Sequence, residues 1–273
     1  MSQALREAEE RLAGAGVETP RVDAELLVAH VAGLSRARLH LEPSRELDAI
    51  ALEPLLRRRE AREPLAYVLG EWGFRRLTLR TDRRALVPRP ETEVVVDRCL
   101  ELIADIAEPE VLDVGVGSGA IALALADEHP GARVTGIDAS AEALALARDN
   151  AERLGLSVRL LEADVRDGLP AAPYDLVVAN PPYVDAAELA ALAPEVRDWE
   201  PRAALVGPGT TEAVVDTAAR VLRPGGWLVL EVHEQRASEV ARLVDSAGFV
   251  ASRISRDLGG RDRVVEGRWS SRR

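Results

Sequence analysis

Four consecutive residues, Asn180-Pro181-Pro182-Tyr183, offer the most specific chemistry in this chain of 273 residues. Each proline removes a backbone donor and restricts the residue before it, so Asn180 and the Pro181 carbonyl are held in fixed directions. The Asn180 side-chain oxygen and the Pro181 carbonyl oxygen can each accept one hydrogen from a planar NH2 group. The Tyr183 ring can cover the face of that group. An amide or aromatic amine delocalises its nitrogen lone pair and is a poor nucleophile. Accepting both hydrogens as the nitrogen pyramidalises stabilises the developing positive charge and aims the nitrogen at an electrophile such as a methyl sulfonium. No base is needed before attack, in keeping with a segment that holds no His or Cys. The plain alternative, an Asn-Pro turn with an exposed tyrosine, leaves the preceding apolar run Leu176-Val177-Val178-Ala179 and the glycine loop unexplained.

That loop, Asp113-Val114-Gly115-Val116-Gly117-Ser118-Gly119-Ala120, joins a strand to a helix. Its glycines permit unusual backbone angles and close approach to a ligand, beside the positive end of the following helix. By itself the loop fits a nicotinamide cofactor as well as S-adenosylmethionine. Asp138 follows Gly115 by 23 residues and ends the next strand, where a carboxylate can accept both ribose hydroxyls of a nucleoside. Asp164 ends a third strand, suited to accept a hydrogen from an exocyclic adenine amine, although alone it also reads as a helix cap. Three successive strand ends bearing acids define one ligand edge, the carboxyl edge of an open α/β sheet.

The elements that must position these residues are legible from periodicity. Apolar residues at helical spacing (Leu5, Ala8, Leu12; Ala24, Leu27; Leu52, Leu55, Leu56) predict a helical bundle over residues 1–70, its last helix, from about Glu63 to Leu69, stopped by Gly70. Thr19-Pro20 reads as an N-cap followed by proline in the first turn. Residues 71–92 suggest a β-hairpin linker, with two short strands around Thr81-Asp82-Arg83 and a close at Pro88-Arg89-Pro90. From 93 to 273 helix and strand patterns alternate, predicting a mostly parallel, Rossmann-like sheet covered on both faces, with two final strands forming an antiparallel edge.

Composition bounds the function. The net charge of -11 opposes non-specific grip on nucleic acid, which needs a basic surface. All 35 basic residues are arginine, which reads as coding bias rather than phosphate recognition. Apolar runs are too short to span a bilayer, and the first residues carry acids and bases where a secretory signal is apolar, so a cytoplasmic protein without membrane contact is expected. Cys99 is the single cysteine, so no intramolecular disulfide and no cysteine metal cluster can form, and no metal is expected.

Taken together, Asp113-x-Gly115-x-Gly117-x-Gly119 and Asn180-Pro181-Pro182-Tyr183 resemble the class I S-adenosylmethionine-dependent methyltransferases that modify planar amino groups. The four-residue motif is shared by adenine-N6, guanine-N2 and glutamine-N5 enzymes. The segments Glu63 to Glu71, Leu86-Val87-Pro88-Arg89-Pro90-Glu91-Thr92-Glu93 and Glu200-Pro201-Arg202-Ala203-Ala204-Leu205, with Gly259, Arg261, Arg263 and Val264, are similar to the HemK/PrmC family of peptide chain release factor N5-glutamine methyltransferases. The resemblance implies a bundle that helps hold class I release factors and a catalytic domain that methylates the glutamine of their Gly-Gly-Gln loop, acting as a monomer without stable nucleic-acid binding. It also implies that Asp113, Gly115, Val116, Gly117, Ser118, Gly119, Asp138, Asp164, Val165 and Asn180 bind S-adenosylmethionine, and that Asn180, Pro181, Pro182 and Tyr183 hold the glutamine. Three departures stand out: Val165 where relatives often carry an aromatic, Gly207-Pro208-Gly209-Thr210-Thr211 without the usual Asp-Gly-Leu, and Gln235 followed by Arg236 where glycine is common. N5-glutamine methylation of a ribosomal protein and, more distantly, base methylation of nucleic acid are the rival readings.

Overall fold

The computed structural model describes residues 1–42, 45–168, 170 and 173–270, so the last three residues of the expected 93–273 domain lie outside the described residues. The chain divides into two compact units, Met1–Glu71 with Leu192–Trp199, and Trp72–Ala191 with Glu200–Arg273. The eight-residue return of the chain to the first unit has no counterpart in the sequence reading.

In the first unit, α1 (Ser2–Gly14), α2 (Pro20–Ala32), α3 (Arg36–Leu39), α4 (Ala49–Glu60) and α5 (Leu65–Leu69) bury Leu5, Ala8, Leu12, Ala24, Leu27, Leu52, Leu56 and Val68 in one cluster. Gly33 and Gly70 cap α2 and α5 in the left-handed conformation. Thr19 does not cap α2 with its side chain; its hydroxyl donates instead to Asp23 at 2.8 Å. Asp23 is thereby committed to a buried ion cluster. Arg59, 5% exposed, donates to Asp23 and to Glu195 at 2.7 and 2.8 Å, and Arg62 grips both oxygens of Glu195 at 2.7 Å. Glu195 belongs to the returning segment, which forms a short helix over Pro194–Arg197.

The second unit opens with β1 (Glu71–Phe74) and β2 (Leu77–Arg80), a hairpin that turns at Arg75-Arg76, with Arg75 at φ 51°. The expected turn at Thr81-Asp82-Arg83 is displaced: residues 81–89 contain no strand, because the prolines at 88 and 90 and the ion pair of Asp82 with Arg84 hold that segment irregular. Then follow α6 (Pro90–Ile103), β3 (Glu110–Val114), α7 (Ala120–Glu128), β4 (Arg133–Asp138), α8 (Ala141–Leu154), β5 (Arg159–Glu162) and β6 (Tyr174–Ala179). After the helix at 194–197, numbered α9, come α10 (Arg202–Leu205), α11 (Thr210–Val221), β7 (Leu222–Glu231), α12 (Ala237–Ser246), β8 (Phe249–Arg256) and β9 (Asp262–Trp269).

Seven strands form one sheet in the order β5-β4-β3-β6-β7-β9-β8. The first five are parallel, and β9 pairs antiparallel with β7 and β8, as the alternating pattern and final hairpin predict. Residues of one face of the strands (Val111, Val134, Leu176, Val178, Val229) pack on α6, α7 and α8; residues of the other (Leu112, Ile137, Val177, Ala179, Leu228, Leu230) pack on α11 and α12. Because β6 is covered on both faces, its entire run is buried, and each Val or Leu there stabilises the fold by roughly 1.5–3 kcal/mol. Strand order reverses between β3 and β6, which leaves a crevice at their carboxyl ends.

The Arg59 cluster makes a graded prediction. Arg59→Ala leaves the buried Asp23 carboxylate with only the Thr19 hydroxyl, while Glu195 keeps Arg62, and should lower unfolding stability by about 3–5 kcal/mol. Glu195→Ala leaves Arg59 paired with Asp23 and should cost less. Denaturant melts of the two variants with equal losses would show that Arg59 is not the centre of the cluster.

Candidate active site

A cavity of about 400 Å3 occupies the crevice, within the range of small-molecule sites. The glycine loop supplies one wall through Gly115, Val116, Gly117 and Ser118, the end of β4 another through Asp138, and Asp164 and Val165 a third. Asn180, Pro181 and Pro182, directly after β6, complete it. The register Val114↔Ala179 sets the two loops side by side, so the sheet itself brings Gly115 next to Asn180.

Local geometry explains how the loop holds its shape. Gly115, Gly117 and Gly119 all have left-handed backbones, at φ 78°, 55° and 89°. A Cβ on Gly119 would lie 2.8 Å from a Leu123 methyl, so this glycine serves the packing of α7 and does not line the cavity. Asp138 accepts from the Gly117 N–H and the Ser140 N–H, both at 2.9 Å, and burial raises its pKa against those bonds. Its two oxygens offer about four acceptor sites, so room remains for hydroxyl donors.

Asp113 departs from expectation. It is 1% exposed, lies outside the cavity lining and accepts from the Ala122 N–H at 3.0 Å inside α7, leaving its other oxygen without a hydrogen-bond partner among the described residues. Desolvation pushes its pKa up to about 7. Asp113 is therefore an anchor beneath the loop rather than a wall of the site. Asp164 lines the cavity while accepting from the Arg166 backbone and guanidinium, which hold its carboxyl below the ordinary range. Val165 presents an aliphatic surface where the resemblance leads one to expect a ring.

Tyr183 is separated from the other three motif residues. It lines a neighbouring cavity of about 570 Å3, its ring centroid 6.0 Å from that of His233, while Arg236 donates to its carbonyl at 3.2 Å. The two cavities share Pro182, Val206, Gly207 and Pro208.

Periodicity and motif reading missed part of the lining of the site. Residues 84–89 and Thr92 line the first cavity, as do Pro201, Ala203, Ala204 and Thr210. One ion pair joins these segments: Arg89 reaches both oxygens of Glu200 at 2.6 Å, and the Val87 N–H donates to the same carboxylate at 3.3 Å. Burial raises the Glu200 pKa even so. Proline-bracketed charges in both segments, Pro88-Arg89-Pro90 and Glu200-Pro201, were the available signal. Gly207 was read as a departure from a pattern, yet a Cβ there would meet Pro182 at 2.4 Å and Thr210 at 2.7 Å, so only glycine lets this loop back the proline pair.

A nucleoside-sized crevice at the switch point, with a glycine loop, a strand-end carboxylate and an Asn-Pro acceptor pair, defines a class I S-adenosylmethionine-dependent methyltransferase. The T. thermophilus 16S rRNA N2 G1207 methyltransferase, solved in complex with AdoMet and guanosine, shares this fold, with a TM-score of 0.54 and 21% identity over 73% of this chain and 49% of that one. Residues 3–70 match the PrmC N-terminal domain, and residues 95–195 the methyltransferase small domain. The release factor glutamine methyltransferase of Deinococcus radiodurans is 44% identical over 97% of this chain and 96% of its own length; that of Caulobacter vibrioides is 42% identical over 95% and 93%. The chain belongs to the release factor glutamine methyltransferase family.

Two outcomes follow from the buried groups. Folded Asp113 keeps its proton up to about pH 7, whereas the unfolded chain releases it near pH 4. The native state therefore binds more protons across that window, and the stability contributed at this site falls as pH rises through it. Asp113→Asn preserves an acceptor for Ala122 and removes the decline. Its advantage over the parent in denaturant melts should grow from pH 4 to 7 by about 1.4 kcal/mol per unit of pKa difference; parallel curves would contradict the assignment. Separately, Gly207→Ala should displace Pro182 and lower turnover by about 100-fold while the protein stays folded by circular dichroism.

Proposed function

We propose that this protein transfers a methyl group from S-adenosylmethionine to the side-chain amide N5 of the glutamine in the Gly-Gly-Gln loop of class I release factors, releasing S-adenosylhomocysteine. The observation that carries the reading is the Asn180-Pro181 acceptor pair in the wall of a cavity whose other walls suit a nucleoside. The family membership supports the acceptor: both relatives described above are named release factor glutamine methyltransferases.

The residues present fit the cofactor. Gly115 and Gly117 offer backbone at close approach, the Asp138 carboxylate retains acceptor sites for ribose hydroxyls, and Val116, Ile137 and Val165 supply apolar walls for a base. When bound, the cofactor supplies a methyl group on a positively charged sulfur, an electrophile that needs no activation by the protein.

The chain's own residues have two tasks. Asn180 Oδ1 and the Pro181 carbonyl accept the two amide hydrogens, which orients the nitrogen and stabilises the charge it gains. The Pro181-Pro182 pair, backed by Gly207, keeps these acceptors from relaxing, so little reorganisation is needed as charge develops. In this reading Tyr183 packs beside the acceptor from the second cavity. The bundle of the first unit receives the release factor. Among the described residues no helix is long and apolar enough to cross a membrane, and a cytoplasmic setting is part of the proposal.

Purified protein with labelled S-adenosylmethionine should transfer label to a class I release factor, and a Gln→Ala change in the acceptor loop should abolish it. Label appearing in a ribosomal protein or in RNA instead would sink the substrate assignment. Asn180→Ala should reduce kcat by about 10²–10³-fold with cofactor affinity changed only a few-fold. Asp138→Ala should act the other way, weakening cofactor binding by roughly 10- to 150-fold in calorimetry.

A further inference from the structure

Methyl transfer to an amide leaves one proton too many on nitrogen, and the Asn-Pro pair, made only of acceptors already engaged with N–H groups, does not carry it away. The nitrogen's lone pair forms the new N–C bond as the S–C bond breaks and its electron pair goes to sulfur. One N–H bond must break as the N–C bond forms. A protonated amide nitrogen is a far stronger acid than a carboxylic acid, so a carboxylate within reach takes that proton downhill.

Glu231 is the carboxylate the fold provides. It ends β7, the strand beside the one that delivers the motif, and the register Ala179↔Leu230 places Asn180 and Glu231 at adjoining positions on neighbouring strands. The side chain is 1% exposed and borders the second cavity. Among the described residues its hydrogen-bond partner is Thr92, whose hydroxyl donates to Glu231 Oε2 at 2.6 Å, and no guanidinium forms an ion pair with it. Thr92 lines the first cavity, so the pair spans from one cavity to the other. A buried carboxylate without a charged partner is costly, and the fold gains from it only one hydrogen bond that a neutral amide could also accept.

We propose that Glu231 receives the proton released from the methylated amide, by way of the Thr92 hydroxyl. The nitrogen gives its proton to Thr92 Oγ1 as Thr92 gives its own to Glu231 Oε2, which leaves a neutral N-methyl amide, an unchanged threonine and a protonated Glu231. The second cavity then returns that proton to solvent. This inference rests on an amide being the acceptor at Asn180-Pro181. The N-protonated amide does not accumulate, so its proton passes to Thr92 and Glu231 as the N–C bond forms and the transfer enters the rate, although no base activates the amide beforehand.

The surroundings suit the role. Arg89 and Glu91 at the start of α6, Arg263 on β9 and the Tyr183 ring on the motif loop face Glu231; desolvation is the largest influence and raises its pKa to about 7, with Glu91 adding to the rise while Thr92, Arg263 and Arg89 oppose it. The sign is definite: Glu231 is competent when ionised, so the rate should rise with pH through about 7.

Single-turnover methylation of a release factor, measured from pH 5.5 to 9, tests this. The parent enzyme should show a rate that rises about tenfold per pH unit below 7 and then levels. Glu231→Gln, which keeps an acceptor for Thr92, should lose that limb and run at least roughly 100-fold slower at pH 8, with unchanged cofactor affinity and an unfolding midpoint no lower than the parent's. Glu231→Asp should recover part of the rate together with the limb, and Thr92→Val should slow the reaction while leaving a Glu231 carboxyl that still titrates by carbon-13 NMR. A Glu231→Gln enzyme with parental rate and pH profile would reduce the pair to a structural tie and overturn the proposal. A parent enzyme that fails to methylate any release factor would instead overturn the acceptor reading, and the Glu231 titration by NMR would stand apart from it.

Discussion

Parallel pairing of β3 with β6 is the constraint on which the site depends. From β3 the chain winds one way across the sheet, through α7 and β4, and from β6 it winds the other way, through α11 and β7. The loops leaving these two strands therefore turn toward opposite faces and cannot close over each other, which opens the crevice. With Val114 level with Ala179, the glycine loop and the proline motif begin at the same height. A slip of one residue would send every side chain of β6 to the other face, which the burial of both faces forbids.

Around that seam the dominant electrostatic effect is desolvation. Asp113, Asp138, Glu200 and Glu231 all have raised pKa values with burial as the largest cause, and each is held by a different partner: a helix N–H, the glycine loop, Arg89 and Thr92. Charges that a solvated surface would screen are here sensitive to a single neighbour. The abundant arginine-carboxylate pairs elsewhere, such as Arg57 with Glu53 or Arg197 with Asp198, are exposed and contribute little individually.

Much of the catalytic unit was legible in sequence because its strands are short apolar runs with turn residues at both ends. β3, β4 and α8 stand out in the alternating pattern, since Pro109, Pro130, Gly131, Ser140 and Gly155 punctuate them. The motif residues Asn180, Pro181 and Pro182 were equally readable, as rigid geometry there comes from proline covalent structure. The hairpin was misjudged by several residues because its turn, Arg75-Arg76, carries no glycine and draws its stability from Glu93, Asp97 and Glu128, which are distant in sequence. That Asp113 is buried under α7 and that Tyr183 borders a second cavity could not be read from the sequence, since strand alternation gives the face of a side chain and not what covers it.

The resemblance of its motifs named a methyltransferase; by itself, then, the sequence determined an α/β fold with a helical appendage, the order of its elements and an Asn-Pro acceptor suited to a planar nitrogen. These follow from local propensity, periodicity and the fixed dihedral of proline, which operate over a few residues. Only the tertiary structure decided that Glu200 locks Arg89 over the cavity, that Glu195 returns to the helical unit, that Gly207 backs Pro182, and that Thr92 meets Glu231. Those pairs lie 25 to 139 residues apart, and no local rule links them. They form because closing the sheet and burying both its faces leaves each of these groups one neighbour within reach.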